Sequence, residues 1–556
     1  MAEMYQQHNG NHESSESQDE KQKEYVDEIL KRQDHMQTTR TNFENLWQDC
    51  YDHIVPRKND VLTLRFEGDR RGHELFDSTA IMSNNLLAGA LHGMLTNPTT
   101  RFFDLIMGNP ALDDNEEVKD WLQDVADRMF TVFQNSNFQT EVHEIYIDEG
   151  AIGTACMYMA EHDERVVHFS ARAMKEIYIQ ENNLGLVDTV HRVFKWTPRQ
   201  IVQEFGYDKL PVEVQREFDQ GCDDKWEIIH AVEPKDIKED GVFPFRSCYI
   251  LKEQKLKIHE GGFKEFPYAV PRWTKTSGET YGRGPGMDML ADIRMVNKMM
   301  ETTLKGAQKT VDPPMMVSDD SVIGRVRLIP GGLTLVRPMS EVPIRPLITD
   351  ARIDFGYQAV EDVRKRIRSG FYVDQLQLNE GPQMTATEVM QRTEEKLRLM
   401  GPVLGRQHFE FLRPVIERVF GIMVRKNLIP AAPPVIAGKN FDVRYSSLIA
   451  RVQRSNEAQN FAKAIQLAAP LMQIDQKVID NIDTDKSLRY IMDVEGVPHK
   501  LLRQSREIQK IRESRAQAQQ QAMQQMQEQH QAEVAGKVMP GAAQMMQASK
   551  DVKSGA

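Results

Sequence analysis

Two helix-length runs, about Met287 to Thr310 and about Arg352 to Phe371, are separated by a segment that cannot continue either of them. Val311 to Thr349 carries Pro313, Pro314, Pro330, Gly331, Gly332, Pro338, Pro343 and Pro346 around short β-like pieces. Proline removes a backbone donor and clashes with the preceding helical turn, so the helix must stop there. The chain therefore goes out along one helix, makes a compact β excursion and returns along another. At 1.5 Å per residue the two helices span about 36 Å and about 30 Å. The excursion between them is too small for a core of its own, and its short strands leave edges that need a partner.

The flanks are mostly helical. Val26, Ile29, Leu30, Phe43, Leu46, Trp47, Cys50 and Ile54 recur at helical spacing up to Pro56, which predicts a helix beginning near Tyr25. Further helices are expected over about Thr79–Thr96, Asn115–Gln134 and Phe138–Ile152. The second of these opens on Asp113, Asp114, Glu116 and Glu117, which suit the positive end of a helix dipole. Past Gly153 the runs Ala155–Ala160, Val166–Ser170, Glu176–Gln180, Val187–Trp196, Trp226–Val232, Ser247–Glu253 and Leu256–His259 read as strands. A small helix among them starts on Thr197 as cap with Pro198 in its first turn. After the second long run, Tyr372–Met384 reads as a loop, and Thr385 opens a long helix that Pro402 and Pro414 should bend or divide. A Pro430–Pro434 linker, a strand at Phe441–Tyr445 and helices at Asn456–Gln473, Asp485–Asp493 and from Lys500 onward follow. Residues 1–22 lack an apolar period and are expected to be a disordered acidic tail; the Gln-rich stretch 516–556 is expected to be helical or disordered. The fold class is mixed α+β, predominantly helical.

The chain has 82 acidic and 70 basic side chains, a net charge of −12. Proteins that coat nucleic acid neutralise phosphates with Lys and Arg, so the balance argues against that class. The acidity is local: residues 1–30, 110–128 and 204–240 net −6, −5 and −7, which leaves +6 for everything else. No run approaches the roughly 18 apolar residues of a membrane span, and no secretory signal is evident, so a soluble, untargeted protein without a membrane partner is expected. Cys50, Cys156, Cys222 and Cys248 lie far apart, which excludes a disulfide framework or zinc ribbon and leaves reduced core residues.

Motifs that would carry chemistry are missing. Ala437-Gly-Lys-Asn440 lacks the first glycine and the closing hydroxyl of a phosphate-cradling loop. Gly282, Gly284 and Gly286 imitate a dinucleotide turn, but Pro285 intervenes and the third spacing is wrong. A hinge before a helix, with Pro285 near its first turn, is the better reading. His143-Glu144 has no second histidine one turn on, and Gly-x-Ser-x-Gly is absent. No catalytic residue, cofactor or metal site is expected. Arg364, Lys365, Arg366 and Arg368 form the one local feature a polyanion would notice. Either they are a solvated helix face paired with Glu361, Asp362 and Asp354, or they serve a lumen or a subunit interface.

Five segments in fixed order carry a resemblance: Arg71-Gly-His-Glu-Leu-Phe-Asp-Ser-Thr-Ala80, Leu86-Leu-Ala-Gly-Ala-Leu-His-Gly-Met-Leu-Thr-Asn-Pro98, Tyr281-Gly-Arg-Gly-Pro285, Val311-Asp-Pro-Pro314 and Met384-Thr-Ala-Thr-Glu-Val389. Together, over about Val26 to Arg512, they resemble the head-to-tail connector, or portal, proteins of short-tailed bacteriophages. The resemblance implies a wing domain (23–280), a hinge and first stem helix (281–310), a small β-containing clip (311–349), a second stem helix (350–371), a tunnel loop (372–384), a long wing helix (385–430) and a helical crown (431–515).

It further implies a dodecameric ring at a unique capsid vertex, the channel for DNA during packaging and ejection and the platform for the tail. The implied partners are a terminase packaging motor, scaffolding and major capsid proteins, tail adaptor and tube proteins, and double-stranded DNA. The protein would sit at the portal vertex of the virion, and in the host cytoplasm during assembly. In the tunnel loop, Asp374, Gln375, Gln377, Asn379, Glu380 and Gln383 are expected to meet DNA; the loop contains no Lys or Arg, which avoids a salt-dependent grip that would stall movement. In the clip, Arg325, Arg327, Leu333, Leu335 and Arg337 are expected in strand contacts between subunits. Two other readings are a different structural virion component, internal or tail-adaptor, and a nucleic-acid enzyme. A ring with a central channel separates the first, and ATPase and nuclease assays separate the second.

Overall fold

The computed structural model describes residues 15–311 except 59, 64–65, 67, 73, 110–111, 113–114 and 236–242; then 315–317, 322–323, 335–336, 344–346, 353–376, 400–436, 438, 442–445, 461–467, 469–470, 482–494, 507–526 and 529. The chain divides into two units, residues 1–109 with 121–450, and residues 110–120 with 451–556.

The first unit begins with α1 (Ser15–Ile54), which starts ten residues before the expected Tyr25 and ends just before Pro56. Val26, Ile29, Gln33, Met36, Arg40, Trp47, Cys50, Tyr51 and Ile54 are among its buried positions, the three-and-four spacing of one helix face. Next come α2 (Thr79–Leu95), β1 (Phe103–Ile106), α3 (Glu116–Asn135) and α4 (Phe138–Ile152). β1 was not legible as a strand; it pairs antiparallel with the distant β14 (Asp442–Tyr445), Phe103 opposite Tyr445.

Strands β2 (Met157–His162), β3 (Val166–Ala171), β4 (Ile177–Glu181) and β5 (Val187–Trp196) match the expected runs closely. Between β5 and β6 (Trp226–Pro234) lie α5 (Pro198–Phe205) and α6 (Val212–Asp219). Pro198 stands in the first turn of α5, and the Thr197 N–H donates to Gln200 Oε1 at 3.0 Å, as a capping side chain should accept it. β7 (Phe245–Leu251), β8 (Leu256–Phe263) and β9 (Tyr268–Ala269) complete two antiparallel sheets, ordered β4-β5-β6-β7-β8 and β3-β2-β9. Both faces of the larger sheet are covered. Ile228 and Leu251 face Phe194, Ile201, Leu210 and Val214 under α5 and α6. Ala231, Cys248 and Ile250 face Val26 and Ile29 of α1. Two covered faces explain the unbroken burial of Ile228 to Glu233.

The glycine string after β9 leads into a helix with Pro285 in its first turn, as expected, and it packs closely against the end of α4. α4 ends at Gly153, whose φ of 74° is left-handed and whose N–H bonds the Glu149 carbonyl at 2.9 Å. A Cβ on Gly153 would overlap the Gly284 backbone nitrogen, one on Gly284 the Glu149 carbonyl oxygen, and one on Gly286 the Ala151 carbonyl oxygen. Thr154 Oγ1 accepts the Gly282 N–H at 2.8 Å. From this contact Pro285 starts the single turn α7 (Pro285–Asp288), followed by α8 (Leu290–Val311).

The β excursion contains β10 (Met315–Val317) paired with β13 (Ile344–Pro346), and β11 (Val322–Ile323) paired with β12 (Leu335–Val336). α9 (Ile353–Gly370) returns, and the segment expected to be loop from Tyr372 opens with a helical turn, α10 (Val373–Leu376). Residues 400–407 are helical and run through a π-turn, His408–Leu412, into α11 (Arg413–Arg425). Pro414 has no N–H for the carbonyl four residues back. The helix widens rather than breaks, and the Arg413 N–H reaches the His408 carbonyl instead.

In the second unit α12 is Thr484–Val494, residues 461–467 and 507–526 are also helical, and Asp485 takes both arms of Arg512 at 2.7 Å. The described part of the Gln-rich end is thus helix up to Met526.

The joint predicts opposite outcomes at two kinds of glycine. Gly284→Ala should cost about 1–3 kcal/mol or more through overpacking. Gly89→Ala, in α2 with open space around its added Cβ, should be neutral or stabilising by up to about 1 kcal/mol. Chemical denaturation of both variants compares them directly.

Candidate functional site: the paired helices α8 and α9

α8 and α9 run antiparallel. Gly370 leaves room for the Met289 side chain and Gly356 sits beside Thr303, so the two ends of α9 meet the two ends of α8 in opposite order. Arg366 of α9 reaches Asp292 of α8 at 3.4 Å within the same register. Ile293 and Val296 of α8 and Val360, Val363 and Ile367 of α9 are buried, spacings of three and four that place them on one face of each helix.

A strap crosses both helices. The Asn297 side chain on α8 accepts the Phe76 N–H at 2.7 Å and donates to the Glu74 carbonyl at 2.8 Å. One residue on, the Asp77 carboxylate accepts the Thr79 N–H at 2.9 Å, satisfying a free donor at the start of α2, and takes Arg364 Nε of α9 at 2.8 Å. Burial works against the Asp77 charge, but the bonds from Thr79 and Arg364 outweigh it and hold its carboxyl below the usual range. Asp77 and Asn297 were not singled out from the sequence. The only signal was an Asp-Ser-Thr string just ahead of an apolar helix, a cap pattern.

The basic cluster on α9 is paired throughout. Arg364 holds Asp77 and Glu361, Lys365 lies 3.6 Å from Asp362, Arg366 holds Asp292, and Arg368 lies 3.1 Å from Glu361. Glu361 and Asp362 are the expected partners, whereas Asp77 and Asp292 come from other elements. Arg364 and Arg366 therefore join helices, and Lys365 faces solvent.

A second basic row lies on α8. Arg294, Lys298, Lys305 and Lys309 project on the side of α8 away from Thr303, hence away from α9. Glu301 sits among them with Lys298 at 2.8 Å and Lys305 bonded, and Arg294 meets Asp49 of α1. Over α8 and α9 the sequence holds eight Lys or Arg and five Asp or Glu, a surplus of three positive charges in a chain of net −12.

Of the residues expected to meet DNA, Asp374 is exposed on α10 and Gln375 belongs to the same turn; Gln377, Asn379, Glu380 and Gln383 lie outside the described residues. Of those expected between subunits, Leu335 pairs with Ile323 within its own chain, and Arg325, Arg327, Leu333 and Arg337 lie outside the described residues.

Buried ion pairs fix the surroundings of the helix pair. Arg272 is fully buried; it grips Glu410 of the π-turn with two bonds of 2.9 Å, bonds Glu181, and donates to the Thr280 and Gly185 carbonyls. Burial opposes its charge, yet Glu410 and Glu181 outweigh that and raise its pKa. Arg418 of α11, also buried, bonds Glu265 at 2.8 Å. On α4, Asp148 takes Lys58 at 2.8 Å and the Tyr51 hydroxyl at 3.2 Å, while Glu144 of the His143-Glu144 pair holds Arg57 at 2.9 Å. Cys50, Cys156 and Cys248 are buried free thiols, with burial pushing Cys50 up to about 12; Cys222 is half-exposed. Among the described residues no group of three His, Cys, Asp or Glu side chains is placed to hold a metal, and no helix is long and apolar enough to cross a membrane.

The helix–β–helix path, its glycine joint and its strap coincide with the segments that carried the resemblance, and the family model described as bacteriophage head to tail connecting protein matches residues 26–502. The chain belongs to that family. The "Probable portal protein" of Bordetella phage BPP-1 is 30% identical over 524 residues, covering 92% of this chain and 94% of the relative. The "Portal protein" of Salmonella phage epsilon15 is 30% identical over 512 residues, covering 88% and 91%. Among solved structures, a chain titled "Virion of native gene transfer agent (GTA) particle" aligns over 75% of this chain at 10% identity and a TM-score of 0.34, too low to bear on the fold. Phage proteins of this family are structural components of the virion at the head–tail connection.

Asp77→Ala removes the strap's carboxylate from both Arg364 and the start of α2. It should cost about 2 kcal/mol or more, as expected when one partner of a buried pair and an N-terminal cap are lost together. Lys365→Ala, at an exposed pair, should stay within about 0.5 kcal/mol of the parent. Equilibrium unfolding of the two variants is the measurement.

Proposed function

We propose that the chain is a portal subunit that assembles as a dodecameric ring at one vertex of the capsid, the channel for DNA entering during packaging and leaving during ejection, and the platform to which the tail attaches. The observation that carries this reading is the antiparallel pair α8 and α9, which leads to and from a β excursion, in a chain that matches the connector family over most of its length. At 1.5 Å per residue, the 22 residues of α8 and the 18 of α9 give walls of about 33 Å and about 27 Å. In this reading they are the stem, residues 311–349 the clip, and 372–384 the tunnel loop.

The work done is mechanical guidance. A separate terminase supplies ATP hydrolysis; scaffolding and major capsid proteins surround the ring, and tail adaptor and tube proteins dock below the clip. DNA meets the tunnel loop through Asp374, Gln375, Gln377, Asn379, Glu380 and Gln383. Polar groups without positive charge contact phosphates only weakly, so the duplex slides instead of being held. In the clip, Arg325, Arg327, Leu333, Leu335 and Arg337 serve the junction between neighbouring subunits, where short strand edges find partners.

Negative-stain or cryogenic electron microscopy of the purified full chain tests the reading. Rings with an open centre are expected; a monodisperse monomer or a solid particle would overturn it. Deleting residues 319–343 should reduce ring formation, and full rings from that variant would refute the clip's part in assembly. Alanine at Gln375, Gln377, Asn379 and Gln383 together should lower packaging or DNA retention while leaving rings intact. Unchanged packaging would remove the loop from the DNA path.

A further inference from the structure

Four carboxylates are buried among the described residues, and three of them hold a cation. Asp77 holds Arg364, Asp148 holds Lys58, and Glu233 holds Arg32 and His191. Glu149, on α4, has none. Its partner is an amide: Gln407, fully buried at the residue before the π-turn, donates from Nε2 to Glu149 Oε1. Two oxygens of this pair, Glu149 Oε2 and Gln407 Oε1, are buried with no donor. Both are acceptors, so neither can satisfy the other, and buried polar atoms without partners are rare. One proton satisfies both.

We propose that Glu149 is held as the neutral acid and closes a reciprocal hydrogen-bonded ring with the Gln407 amide, a proton-dependent latch between α4 and the helix that carries the π-turn. Gln407 Nε2–H donates to Glu149 Oε1, and Glu149 Oε2–H donates to Gln407 Oε1. Only hydrogen bonds form; the proton comes from water.

The charged and titratable neighbours leave the acid in this state. On α4, Asp148 is committed to Lys58. On the long helix, Glu410 is held by Arg272 and Arg406, and His408 lies in the π-turn next to Gln407. On the segment closing against α4, Arg272 is committed to Glu410 and Glu181, Arg283 to Glu279, and Asp288 lies one turn further on. Burial pushes the Glu149 carboxyl up to about 8; the Gln407 N–H opposes the shift, and the negative charges of Glu410 and Asp148 add to it. The latch sits at a mechanical point, because the Glu149 carbonyl is also the oxygen on which Gly153 and Gly284 close.

The sign of the pH dependence follows. The folded-state value lies above the ordinary 4.5, so the latch contributes in full below about 4.5 and is lost as pH rises through about 8. The test compares thermal unfolding of the assembled full chain, parent against E149Q, between about pH 6 and about pH 9, with hydrogen exchange of residues 145–152 and 400–412 at both ends of the range. Gln at 149 keeps a donor and an acceptor but cannot ionise. The parent should lose several degrees of Tm more than E149Q across the range, with exchange rising in both segments of the parent only. Identical profiles for parent and E149Q would mean that Glu149 is already ionised or bridged by water, and the latch fails. Should E149Q not fold, Q407E serves instead. Two facing carboxyls sharing one proton hold it more tightly than one, which should carry the loss of Tm to higher pH, and an unchanged profile overturns the proposal equally.

Discussion

The contact on which the rest of this structure depends is backbone against backbone. Where α4 ends, the carbonyls of Glu149 and Ala151 and the turn at Gly153 lie so close to Gly284 and Gly286 that no side chain fits between them. The missing Cβ atoms set the angle at which α7 and α8 leave the α+β part of the chain, since atoms in van der Waals contact cannot shift inward and the hydrogen bond from Gly282 to Thr154 keeps them from moving apart. The strap from Glu74 to Asp77 then fixes the other side of the helix pair, with Asn297 on one helix and Arg364 on the next.

Buried charge does a related job further out. Arg272 joins strands, an extended segment and the π-turn, partners as far apart in sequence as Glu181 and Glu410. Such networks add little net stability over an apolar filling of the same shape, because desolvation cancels most of the attraction, but they penalise every other arrangement that leaves one charge unpaired. Against this acidic, ion-paired body, the helix pair carries a local surplus of positive charge.

Most regular elements were legible because their signals are local. The periodic burial along α1, the start of α5 on Thr197 and Pro198, and the runs that became β3 and β5 follow from spacing and capping alone. What was not legible shares a cause: each feature depended on a residue distant in sequence. β1 is four residues long and exists as a strand because β14 pairs with it. The close contacts of the glycine string were not legible, because spacing shows where a side chain is missing, not what occupies its place. Asp77 stood inside a segment singled out for resemblance, yet its role required knowing that Arg364 lies beside it.

The sequence by itself determined the order of elements, the helix–β–helix excursion, the absence of known motifs for nucleotide or metal chemistry and, through five spaced segments, the family. These are properties of short stretches, fixed by propensity, periodicity and the geometry of proline and glycine. Tertiary structure alone decided which glycines must lack a Cβ, which carboxylates are buried with a cation and which without, and which cations of the basic cluster join helices while others face water. Such outcomes depend on free energies of desolvation and close approach between groups far apart along the chain, and no local pattern encodes them.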